Sequence, residues 1–182
     1  MSTVQPIRDK KTIEDIKNIL LKENTRNYVL FCAGINIGLR ISDILKLKVT
    51  DVKDKTHIVL IEEKTNKQKR FYINDDLRNY FNVLTHNMPD DAYIFESKKV
   101  KGKPLDRFQA YRIINDACRK AGVSDEIGTH TLRKTFGYHH YNQFKDIAML
   151  QNIFNHSSQS VTLRYIGIND DMIDESYKNF SL

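Results

Sequence analysis

The chain has 182 residues, 40% of them hydrophobic and 29% charged, and a formal net charge of +6. That suits one domain with a real core, and the basic balance favours a polyanionic partner, nucleic acid ahead of an anionic membrane. The two cysteines, Cys32 and Cys118, lie outside any CxxC pair, which argues against zinc and thiol redox chemistry. The amino terminus lacks the apolar stretch of a signal peptide and no apolar run approaches a membrane span, so a cytoplasmic protein without a membrane partner is expected.

In chain order, Thr12 with Asp15 has the form of a capping box, and Ile13, Ile16, Ile19 and Leu20 make an apolar stripe that predicts a first helix. Tyr28 to Leu39 predicts a buried second helix, loosened at its end by Gly38. Ser42 can cap a short third helix carrying Ile44, Leu45 and Leu47. The pattern then turns to strands. Val49 to Val52 predicts a short one, and His57 to Ile61 with Arg70 to Ile73 predicts an antiparallel hairpin whose tip, Lys64-Thr-Asn-Lys-Gln-Lys, is basic. Asn74 or Asp75 caps a helix over Leu77 to Leu84, and Pro89 to Pro104 reads as a loop with the run Lys98, Lys99, Lys101 and Lys103. Asp106 starts the next helix, with Leu105 as a staple residue and Gly122 at its end. His130 to Phe144 and Asp146 to Phe154 are predicted helical, and a further short helix holds Tyr165. The tail, Asp170 to Leu182, is acidic with scattered apolar residues. The sum is a mainly α chain with a small antiparallel β-sheet, an α+β fold.

Six residues stand out by their order: Arg40, Lys64, His130, Arg133, His156 and Tyr165. Side chains able to hold a phosphate, followed by a tyrosine hydroxyl able to attack it, describe phosphoryl transfer on nucleic acid with no evident need for metal ligands. His130 and Arg133 are three apart, so on a helix they share a face, and the guanidinium fork matches phosphate oxygens. Arg40 sits at a corner between two helices, with Asp43 three residues on to orient it. Lys64 lies among Lys67, Lys69 and Arg70. An ammonium there can protonate a leaving oxygen, or the whole turn can touch a DNA backbone, and composition does not separate the two. Singly, each has an ordinary alternative: a surface ion pair for Arg40, a helix-end histidine for His156, one of nine tyrosines for Tyr165. His139-His140 lacks a carboxylate or cysteine at ligand spacing, so no metal is expected.

In combination these segments resemble the tyrosine recombinase (phage integrase) family. Gly38-Leu39-Arg40-Ile-Ser-Asp43 is similar to its first-arginine box, Glu63-Lys64-Thr-Asn-Lys-Gln-Lys-Arg70 to its hairpin lysine segment, and His130-Thr-Leu-Arg133 to its HxxR box. Leu150 to His156 and Val161 to Tyr165 resemble its last two boxes. One departure is Phe154-Asn155 in place of the family's leucine-glycine before the late histidine. Another is the missing helical core-binding domain that most members carry ahead of the catalytic one. Residues 1–182 are thus expected to be a single catalytic domain, either a fragment or akin to the short members that invert fimbrial promoters.

The resemblance implies a site-specific recombinase or integrase of a mobile genetic element, cutting and rejoining DNA through a 3′-phosphotyrosyl intermediate without metal, ATP or another cofactor. Tyr165 would be the nucleophile. Arg40, Arg133 and His156 would stabilise the phosphate charge, Lys64 would be the general acid, and His130 would assist proton transfer. Asp43 would act behind Arg40, and Lys67, Lys69 and Arg70 would bind DNA. The partner would be double-stranded DNA, bound by a homo-tetramer whose protomers are monomeric or weakly associated in solution. The tail, residues 170–182, would dock on a neighbouring protomer. The competing readings are a type IB topoisomerase-like nicking-closing enzyme and a non-catalytic DNA-binding accessory factor.

Overall fold

The computed structural model describes residues 4–61 and 68–181, apart from the side chains at 169–173 and 176. It is mainly helical with one small antiparallel sheet, as expected. Helix α1 (Lys10–Glu23) buries Ile13, Ile16 and Leu20. Its cap is not the Thr12–Asp15 pair: the carboxylate of Asp9 accepts from the backbone N–H groups of Lys11 and Thr12. Helix α2 (Thr25–Ile37) is buried along much of its length and stops at Gly38, whose φ of 71° suits a residue without a side chain. Helix α3 (Ile41–Leu45) starts two residues earlier than a Ser42 cap would have it, with Arg40 at the cap position and no side-chain cap.

Val49–Val52 is a helical turn, α4, and not a strand. Two valines and a threonine favour strand by propensity, but the Asp51 carboxylate accepts from the Lys48 N–H, and the carbonyls of Ala92 and Asp90 take the N–H groups of Val49 and Thr50. Local capping and the returning loop override the propensity. Strands β1 (His57–Ile61) and β2 (Gln68–Tyr72) pair antiparallel, with Ile58 opposite Phe71 and Leu60 opposite Lys69. Helix α5 (Asp75–Thr85), capped by Asn74, closes the first half.

Helix α6 (Arg107–Lys120) carries a full capping box between Asp106 and Gln109. Helices α7 (Thr131–Phe144), α8 (Ile147–Phe154), α9 (Gln159–Ile166) and α10 (Ile168–Asn179) complete the chain. The core has three parts. One gathers α2 to α5 with the sheet, a second joins α1, α6 and Ile7 to Phe31 and Leu132, and a third holds Leu150, Phe154, Ile166 and Ile168. Helix α7 touches the last two: Leu132 belongs to the second and Phe136 packs on the third. The corner after α2, the start of α7 and the α8–α9 turn therefore meet where the parts adjoin.

Among the described residues no helix is long and apolar enough to cross a membrane.

Candidate active site

Arg133 organises the meeting point. It is 3% exposed, on the first turn of α7. One terminal nitrogen donates to the carbonyl of Gly38 at 2.6 Å and the other to the carbonyl of Phe154 at 3.0 Å. Its guanidinium carbon stands 4.5 Å from the centre of the Phe154 ring. These contacts fix the plane of the fork and tie together segments 95 and 21 residues away in sequence. They also explain Gly38. A Cβ there would come within 2.5 Å of the Phe136 ring, so the close packing and the positive φ both demand glycine.

Arg40 follows directly, at the N-terminal end of α3, and Asp43 is 5% exposed on the same helix with its backbone N–H on the Arg40 carbonyl. The sequence reading of a tight corner holds.

The α8–α9 turn presents the late histidine. Asn155 adopts φ 54°, a left-handed conformation that asparagine tolerates well, so it serves where the family's glycine was expected. Gln151 brackets His156, with its backbone carbonyl accepting from the His156 N–H and its side-chain amide donating to the His156 carbonyl. The His156 Nδ1 lies 3.1 Å from the Thr162 hydroxyl, which in turn donates to the Ser158 carbonyl. With that hydroxyl proton committed, the oxygen accepts from an Nδ1–H.

Tyr165 sits near the end of α9, half-buried, its ring 5.0 Å from that of His156 and 5.5 Å from that of Phe154. Its hydroxyl is 3.3 Å from His130 Nδ1. Burial pushes the phenol up to about 12. The charges of Arg133 and Arg40 and a hydrogen bond from Arg133 pull the other way without overcoming it. Four of the six singled-out residues, Arg40, His130, Arg133 and His156, thus act on the hydroxyl of a fifth, Tyr165, or touch its ring. The sixth, Lys64, lies outside the described residues, as does Lys67.

Two residues belong to the site that the sequence reading did not assign. Phe154 is wholly buried, and its ring packs against Arg133, His156, Tyr165 and Phe136. In the sequence it registered only as a departure from the family. Lys134 is 7% exposed. Its ammonium donates to the Val4 carbonyl and stands 5.3 Å from the Tyr165 ring centre, and burial lowers its pKa, with Arg8 adding to the effect. A lysine inside a helix next to a buried arginine was the available signal. Behind both, Gly137 gives α9 room: a Cβ there would fall within 2.8 Å of Ile166 and of Phe154.

The other predicted cations lie elsewhere. Arg70 is exposed, 2.7 Å from His57 Nε2. Lys69 donates to the carbonyls of Asn152 and Ile153, and so is engaged with α8. His139 meets the Ile7 carbonyl at 3.0 Å, and His140 lies between Phe136 and Phe144. Among the described residues no three His, Cys, Asp or Glu side chains gather to hold a metal ion.

Comparison with known proteins gives a consistent picture. The model of the phage integrase family matches residues 8–172. The probable integrase/recombinase YoeC of Bacillus subtilis is 49% identical over 180 residues, 99% of this chain and 98% of that protein. The crystal structure of XerA recombinase superposes with a TM-score of 0.77 at 23% identity, covering 97% of this chain and 63% of that one. XerH recombinase, in a post-cleavage complex with palindromic difH substrate, gives 0.73 at 18% identity over 97% of this chain and 54% of that one. The chain therefore spans nearly the whole of one relative and little more than half of others.

Proposed function

This chain belongs to the phage integrase family of tyrosine recombinases, and on that footing we propose that it cuts and rejoins double-stranded DNA at specific sites through a 3′-phosphotyrosyl intermediate on Tyr165. The observation that carries this reading is the convergence of His130, Arg133, Arg40 and His156 on the Tyr165 side chain.

The chemistry follows from the groups. Tyr165 Oη bonds to phosphorus, and the bond from phosphorus to the 5′-oxygen breaks. With the phenol near 12, only about one molecule in 10⁵ is phenolate at pH 7. Attack therefore requires the proton to leave as the bond forms, and His130 is placed to accept it. Arg133 and Arg40 offset the charge growing on the non-bridging oxygens, each worth a few kcal/mol when held in advance. His156 gives Nδ1–H to Thr162, so Nε2 carries a proton towards phosphate in the imidazolium form. Asp43 orients Arg40. Lys64 protonates the leaving 5′-oxygen, and Lys67 and Arg70 contact the DNA backbone. The phosphotyrosyl ester conserves the energy of the broken bond, so the reverse step needs neither ATP nor a metal.

The test is covalent capture. Supercoiled DNA carrying the sequence beside this protein's gene, incubated in EDTA without ATP and quenched with detergent, should retain protein on a 3′ end. Absence of any adduct on DNA that the protein binds would contradict the reading. For Lys64, Lys64→Ala should slow cleavage about 10²-fold or more on an ordinary linkage and far less on a 5′-thiol leaving group, which needs little protonation. Equal defects would exclude Lys64 as the acid.

We also propose that residues 1–182 act as a single catalytic domain, in a homo-tetramer on DNA, with residues 170–182 docking on a neighbour. The exposure of Tyr177 and Phe180, 79% and 68%, supports this. Deleting residues 170–182 should weaken assembly on DNA in gel-shift titrations while leaving the melting temperature of the free protein nearly unchanged. Undiminished synapsis would contradict it.

A further inference from the structure

Lys69 lies in a basic hairpin, yet it faces the protein. Along β2 the side chains alternate. Gln68, Arg70 and Tyr72 point outward and are exposed, whereas Lys69 is half-buried on the same face as the buried Phe71. That face meets α8. The Lys69 ammonium donates to the carbonyl of Ile153 at 2.8 Å and to that of Asn152 at 3.1 Å, across 84 and 83 residues of sequence. Both are carbonyls of the last turn of α8, where the helix dipole is negative and favours a cation; that of Asn152 also accepts from the Asn155 N–H, so the ammonium adds a second donor there. The next residues are Phe154, whose carbonyl holds Arg133, and then Asn155 and His156. One ammonium therefore joins the hairpin to the segment that shapes the site. Lys64 lies five residues earlier in the sequence, in the connection between the two strands.

We propose that Lys69 is a positioning residue that clips the hairpin to the end of α8 and thereby sets the reach of Lys64 towards the leaving oxygen. The proposal rests on the recombinase reading for the role of Lys64, and the clip itself stands on the geometry of the free protein. It also separates Lys69 from its outward neighbour: Arg70 remains a DNA contact, and Lys69 acts through α8.

Lys69→Met keeps the apolar stem and removes the cation, and three readouts test it. In hydrogen exchange on the free protein, the amides of residues 57–61, 68–72 and 153–156 should exchange faster than in wild type, with α1 and α2 unchanged. In DNA binding, the slope of log affinity against log salt should stay the same, because no phosphate contact is lost. In single-turnover cleavage, the rate should fall about ten- to a hundredfold on the ordinary linkage and within about twofold on the 5′-thiol linkage. Unchanged exchange would overturn the clip, as would a salt slope reduced by about one, the mark of a lost phosphate contact. Equal defects on both leaving groups would overturn the link to Lys64. Should wild type form no adduct at all, the recombinase reading fails, while exchange and the salt slope still decide the clip.

Discussion

Tyr165→Phe should bind DNA as wild type does and form no covalent adduct. The substitution keeps the ring that packs against Phe154 and His156 and lies beside the Lys134 ammonium, and removes only the oxygen that bonds to phosphorus. Because no other hydroxyl occupies that position, the expected loss of strand cleavage is complete and not partial. Affinity measured by gel shift should be within about twofold of wild type, since phosphate contacts dominate binding. The same variant carries a signature in stability. Burial raises the folded phenol from its ordinary value near 10 to about 12, so the folded state favours the neutral form. The stability linked to that proton is fully present below pH 10 and is lost as pH rises through 12. Tyr165→Phe lacks this loss, and its alkaline unfolding should begin at higher pH. A variant that still cleaved DNA would remove Tyr165 as nucleophile.

Arg133→Ala should damage stability and catalysis together. Two carbonyls, those of Gly38 and Phe154, lose a charged donor in a buried place, and each unpaired buried carbonyl costs about 1–3 kcal/mol. The sum corresponds to a fall in melting temperature on the order of 10 °C for a chain of this size. Cleavage should fall by about 10²–10³ or more beyond what unfolding explains, from loss of charge at the phosphate. Arg133→Lys separates the contributions. It retains the charge but not the planar fork, so one carbonyl is served and the other is not. Its melting temperature should be intermediate and its cleavage still strongly impaired. An Arg133→Ala protein that melts with wild type would show that the two carbonyls do not depend on this side chain.

What the sequence revealed of the site was its local part. Arg40 at a corner after Gly38, His130 three residues before Arg133, and Tyr165 on a short helix are all set by neighbours within one or two turns, and the structure brings them together. Contacts across the chain were not legible. Nothing in Gln68-Lys69-Arg70 says that Lys69 will reach α8 across 83 residues, because that depends on which face of β2 turns inward. Phe154 read as a departure and is the ring on which three site residues pack. The misread elements share one cause. Val49–Val52 looked like a strand and Ser42 like a cap on residue preference, while backbone partners supplied by Asp51 and the returning loop decided the outcome in the first case, and the exit from Gly38 in the second. Asn155 shows the converse: its left-handed backbone is what the family pattern asked of that position.

The joining of Tyr165 to DNA is read by trapping the adduct in EDTA, digesting the DNA to a short 3′-nucleotide remnant, and sequencing the tryptic peptide that follows Arg164 by mass spectrometry. That peptide also contains Tyr177. A remnant on Tyr165 alone is expected. A remnant on Tyr177, or on any other residue, would contradict Tyr165 as the nucleophile.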